Sequence, residues 1–170
     1  MPPVLVRFAN AMQQGEYHRT RPAGDLRDHP EFTPFYTPQQ MLEMGVFEGR
    51  YLNSCRAEYP VSWFIDAQLR DVPDERANYF KLKSRMPTSW WQEKGLINDQ
   101  DPRGWFEWYC RFWMGRRTDD DTRQIKRWRQ IARHSGQVKK GGNGDSTKHA
   151  RQRQTLLQWS WNPYPDMETM

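Results

Sequence analysis

Cysteine is nearly absent from this chain, with Cys55 and Cys110 the only two in 170 residues. Two thiols cannot make a disulfide framework, and neither has metal-ligand spacing to the other or to histidine. Cys110, beside aromatic residues, reads as a small buried hydrophobe. Long apolar runs are also missing. Nothing approaches the ~20 residues of a membrane-spanning helix, and Met1-Pro2-Pro3-Val4-Leu5-Val6-Arg7 lacks the apolar stretch of a signal peptide. The expectation is a cytoplasmic or nuclear protein, or one inside a nucleoprotein assembly, that is not secreted and has no membrane partner.

Local catalytic motifs are lacking too. Gly141 to Lys148 resembles a phosphate loop only in composition, because Lys148 follows Ser146-Thr147 and no Val/Ile-rich strand precedes the glycines. It reads as a flexible connector. Asp119, Asp120 and Asp121 are consecutive, so on a helix they point in different directions, and they read as helix-capping acids rather than as a metal site. His18, His29, His134 and His149 have no zinc-like spacing. His134 is expected in the last turn of its helix, where the dipole favours a cation. No catalytic residue, metal ligand or cofactor is assigned.

Aromatic residues are abundant: nine Trp, eight Phe and seven Tyr make up 14% of the chain. Each buries a large apolar area, so they can close a core for which Leu, Ile and Val are scarce. The expected fold is mainly α, a single compact helical domain with an aromatic-rich core and an extended N-terminal arm. The arm covers 1–36, which is proline-rich without a helical or strand period. The helical domain covers 37–161, with a basic helical unit at 101–161, and 162–170 form a tail.

Within that domain, Thr37-Pro38-Gln39-Gln40 is a capping box closed by Gly45. Residues 60–69 predict a core helix whose inner face is Val61, Phe64, Ile65 and Leu69. Residues 78–83 suggest a short strand, and 88–95 a capped turn or short helix. Asp101 as N-cap, the stripe Trp105, Phe106, Trp108, Tyr109, Phe112 and Trp113, and Gly115 as stop predict a buried helix with Glu107 and Arg111 paired on its other side. A second helix is expected to start at Thr118, with Gly136 just past its end, followed by a flexible link over 137–145 and a third helix from about Ser146 to Trp159. Trp90, Trp91, Trp159 and Trp161 lie outside the packed stripe and are the tryptophans best placed for exposure.

Charge is unevenly spread. Residues 103–153 hold 14 Lys/Arg against 5 Asp/Glu, whereas the chain as a whole carries +5. Clustered cations recruit polyanions, and phosphate backbones are the commonest. The nominated contact residues are Arg116, Arg117, Arg123, Lys126, Arg127, Arg129, Arg133, Lys139, Lys140, Lys148, Arg151 and Arg153. The leading expectation is a non-enzymatic nucleic-acid-binding protein, for DNA or RNA, that grips the phosphate backbone. The alternatives are a structural component of a larger assembly whose arm threads into protein subunits, and a metal-dependent nucleic-acid-modifying enzyme.

Overall fold

A computed structural model of the chain describes residues 2–167. Met1 of the expected arm and residues 168–170 of the expected tail lie outside the described residues. Among the described residues helices outnumber strands, so the expected mainly α fold is met only in part: long turns and one two-stranded sheet make up the rest. In chain order the elements are strands β1 (Val4–Ala9) and β2 (Gln14–Arg19), then α1 (Pro38–Met44), α2 (Ser62–Ile65), α3 (Thr88–Glu93), α4 (Trp105–Trp113), α5 (Asp121–Gln130), α6 (Ala132–Gly141) and α7 (Ala150–Gln158), with short 3₁₀ turns between them.

The centre is α4, and its sequence dictates that position. Trp105, Phe106, Trp108, Tyr109, Cys110 and Phe112 are all buried. The opposite side of the helix is buried as well, since Glu107 and Arg111 are inaccessible. The expected Glu107–Arg111 pair is present at 3.8 Å, inside the protein. Arg111 makes a two-pronged contact with Glu58 at 2.8 and 2.9 Å and a further bond to Asp101 at 3.0 Å. Asp101 also takes both prongs of Arg116, at 2.8 and 2.7 Å, while Glu107 holds Arg103 at 2.8 Å. Three guanidinium groups thus meet three carboxylates in one sealed cluster, and burial is tolerated because each charge is paired and hydrogen-bonded. Asp101 is too engaged to cap α4, which instead starts at Gly104 with φ 111°.

The N-terminal segment is ordered over its own domain. Residues 4–19 form an antiparallel hairpin in which Val4 faces Arg19 and Ala9 faces Gln14. The absence of a strand period in the sequence has a simple reason: this ribbon is half solvated on both faces, so no apolar alternation is required. The ring of Phe8 lies over the Arg111 guanidinium at 4.7 Å, and Tyr17 donates to Glu58 at 2.5 Å. Downstream, the Gly115 carbonyl accepts from the Thr20 and Arg21 amides, and Gly24 donates to Trp113. Gly115 (φ 113°) is needed here, because a β-carbon on it would collide with the Arg21 carbonyl. Phe32 then enters the core at 2% exposure, edge-on to Trp105, Tyr109, Phe112 and Trp128.

Other expectations divide. The Thr37 capping box is present in full. The helix expected over 60–69 shrinks to α2, and its inward residue is Trp63, stacked on Tyr59 at 5.1 Å. Val61 and Ile65, assigned to the core, are 80% and 72% exposed. Residues 78–83 form turns rather than a strand, because the Asn78 side chain bonds the Glu48 amide and the Leu82 carbonyl and draws the chain into a bend. The link expected over 137–145 is helical as far as Gly141. Val138, with 0% exposure, pins it into a second small core with Ile131 and Leu156, which offsets the low helix propensity of Gly136. No helix among the described residues is long and apolar enough to cross a membrane.

Candidate nucleic-acid interface

The twelve nominated cations separate by burial and by partner. Arg116 and Arg153 are buried, and neither can meet a ligand at the surface. Arg116 belongs to the sealed cluster. Arg153 uses every prong, contacting Asp166 through two bonds of 2.8 Å and the carbonyls of Lys148, Pro163 and Asp145. It ties α7 to residues 163–166. Arg117 is half-buried, bonded to Asp28 at 2.8 Å and set over Phe112 at 3.8 Å. Arg123 pairs with Asp120 at 2.6 Å.

Arg127 is half-buried and has no carboxylate. It donates to the Leu96 carbonyl and to Gln124 Oε1, each at 3.0 Å, and lies beside Trp159 at 5.4 Å and Trp91 at 5.9 Å. Burial, with Arg123 nearby, pushes its pKa down to about 10, so it stays a cation at neutral pH.

Seven nominated residues are exposed: Lys126, Arg129, Arg133, Lys139, Lys140, Lys148 and Arg151. Among the described residues none of the seven makes a side-chain hydrogen bond or an ion pair. Four of them align. α5 runs into α6 through one tightened turn at Ile131, where Ile131 N–H bonds Trp128 and His134 N–H bonds Ile131. Taken as one helix at 100° per residue, Lys126, Arg129, Arg133 and Lys140 fall on one stripe, opposite the buried Gln124, Trp128, Ile131, Ser135 and Val138. At 1.5 Å per residue the stripe is about 21 Å long. Gln130 and Gln137 stand between its cations and are exposed. Lys139, Lys148 and Arg151 lie off it. Glu31 borders the groove beside Lys126 and Arg129 without pairing with either.

One signal in the sequence went unused. No Asp or Glu occurs between Thr122 and Gly144, so the only acidic residue on the stripe's own helices is Asp121, at the start of α5. The acids before it are committed: Asp121 accepts from Trp108 Nε1 at 2.8 Å and from the Thr118 amide, and Asp120 holds Arg123 and Gln124. Neither is free to converge on an ion. His134 sits near the start of α6 and not in a last turn, and burial together with Arg133 lowers its pKa. It is therefore not the dipole-stabilised cation expected from sequence. The turn at Gly142 to Ser146 is closed by Asp166, whose carboxylate accepts from the Gly144 amide at 2.9 Å. A carboxylate of the chain itself occupies the position a phosphate would need.

Comparison with protein-family models, curated proteins and solved structures finds no match.

Proposed function

We propose that the protein binds nucleic acid without catalysing a reaction on it, through the phosphate backbone and the stripe Lys126, Arg129, Arg133 and Lys140. The observation that carries the reading is four exposed cations without a side-chain partner, in register when α5 and α6 are projected as one helix, within a stretch, 122–144, that has no acidic residue. An isolated surface lysine is a solvated charge; four in register over about 21 Å match a polyanion and repel cations. Gln130 and Gln137 add hydrogen-bond donors for phosphate or base edges.

The test is binding of random-sequence duplex and single strand across a salt series. Four neutralised phosphates give a log–log salt slope of about −3.6 on duplex DNA. Replacing the four cations with Gln removes most of that slope, and replacing the exposed Lys83 leaves it unchanged. Absence of binding at low salt, or a slope indifferent to the quadruple change, refutes the proposal.

A structural role in an assembly is the second reading, favoured by Val61 and Ile65, which project from one side of α2 into solvent. Sedimentation that is independent of concentration and unaltered by Val61→Ser/Ile65→Ser counts against self-assembly through that patch.

A further inference from the structure

Beside the stripe lies a cleft of about 240 Å³. α3 supplies one wall with Trp91, and the α5–α6 junction supplies the other with Arg127, Arg133 and His134. Trp159 and Trp105, whose rings are 4.8 Å apart, line it as well. No Asp or Glu lines it. Two of its other cations are already answered, Arg103 by Glu107 at 2.8 Å and Arg85 by Glu48 at 3.6 Å. Arg127 and Arg133 are not. Arg127 leaves Nε and Nη2 without a protein acceptor, although it is half-buried between two indoles. Ser84 and Thr155 also line it, but their hydroxyls are engaged with one another and with the Arg151 carbonyl.

This combination selects a ligand class. Uncompensated guanidinium groups call for an anion, and Arg is the side chain best suited to phosphate. Indole walls call for a planar ring. The volume lies below the ~300 Å³ at which drug-sized ligands begin, which restricts the occupant to a single small unit. We infer that the cleft holds one nucleotide, its base against Trp91 and Trp159 and its phosphate on Arg127 and Arg133. Such a unit has two sources, a free mononucleotide or one unstacked nucleotide of a single strand; the second source alone rests on the stripe reading above. Arg133 belongs to both stripe and cleft, so a strand following the stripe passes the cleft mouth.

The test titrates the full-length protein, followed by tryptophan fluorescence and calorimetry, with adenosine monophosphate, adenosine, ribose phosphate, a short single-stranded oligonucleotide and a blunt duplex. Adenosine monophosphate should bind saturably, with adenosine and ribose phosphate each at least about tenfold weaker. Trp91→Ala, on a helix that buries none of its residues completely, should weaken it by about 5- to 150-fold, the range measured for loss of one base–aromatic stack. Arg127→Met should bring adenosine monophosphate down to the level of adenosine; if that variant misfolds by circular dichroism, Trp91→Ala decides. Equal binding of ribose phosphate and adenosine monophosphate would reduce the site to an anion patch and overturn the inference. So would failure of both adenosine monophosphate and the single strand to respond to Trp91→Ala. Loss confined to the single strand assigns the strand as source, and loss confined to the mononucleotide assigns the free form. Because stripe binding is read separately from the duplex salt slope, a sound stripe with an inert cleft, or the reverse, identifies which of the two readings fails.

Discussion

Phe32→Ala measures how far the N-terminal segment belongs to the core. Phe32 is 2% exposed and touches the rings of Trp105, Trp108, Tyr109, Phe112 and Trp128. Truncating a buried Phe costs about 3–5 kcal/mol through lost transfer energy and the cavity left behind. The aromatic pairs add to that cost, since each is worth about 0.5–1.5 kcal/mol beyond its buried area; their sum is not simply additive because all share one ring. For a chain of this size, 3–5 kcal/mol lowers Tm by roughly 6–20 °C. Urea denaturation read by tryptophan fluorescence gives the free energy directly, and the five surrounding rings make the signal sensitive to this site. Trypsin supplies a second readout, because Arg27 is exposed and its bond to Asp28 becomes cleavable once the segment around Phe32 detaches. A loss below about 1 kcal/mol, with Arg27 no more cleavable than in the parent, would refute the placement of Phe32 as the anchor of the N-terminal segment.

Three further outcomes follow from the same contacts. Arg153→Met leaves Asp166 buried without its cation and should cost about 3–5 kcal/mol in denaturant, whereas Arg153→Met/Asp166→Leu should recover part of it. Hydrogen bonding to Arg153 holds the Asp166 pKa down at about 2, and bonding to Arg117 does the same for Asp28. A folded-state pKa below the unfolded value of about 3.9 contributes stability that is complete above pH ~4 and lost as pH falls from about 4 to about 2; Asp166→Asn should flatten that part of an acid titration followed by near-ultraviolet circular dichroism. Gly115→Ala combines a φ of 113° with a collision against the Arg21 carbonyl, so it should destabilise by more than about 1 kcal/mol and detach the hairpin to protease.

What could be read from sequence follows the range of the interaction. The α1 capping box and the aromatic stripe of α4 are local, set by residues three or four apart, and both are present in the structure. The split on α5 was partly readable for the same reason, since Gln124 and Trp128, four apart, share its buried face and Lys126 and Arg129, three apart, lie away from it. Errors arose where a distant partner outbids a local signal. Asp101 has the features of an N-cap, yet Arg111 and Arg116 claim it. Gly136 reads as a helix stop, yet Val138 finds a core formed with Leu156, eighteen residues on. Val61 and Ile65 have the period of an inner face, but Trp63 has the larger ring and a stacking partner in Tyr59. The cleft was invisible for the same reason: its walls come from residues 47–51, 84–97, 103–106, 127–134 and 155–159, and no local pattern announces their meeting.

Side-chain chemistry explains how the cations sort. The buried cations Arg103, Arg111, Arg116 and Arg153 are all arginines held by carboxylates, because a planar guanidinium can satisfy two acceptors at once and is more weakly hydrated than an ammonium. Every lysine from Lys126 to Lys148 is exposed and unpaired. Type alone therefore separates much of the framework charge from the surface charge, and the correction is quantitative. Twelve free cations would give a duplex salt slope near −11; the seven that are exposed set a ceiling of about −6, and the four on the stripe a floor of about −3.6. A measured slope between those limits matches the exposed set, whereas one near −11 would require Arg116 and Arg153 to leave Asp101 and Asp166. That cannot occur without unfolding the sealed cluster and the 163–166 segment, and circular dichroism of the complex would register it.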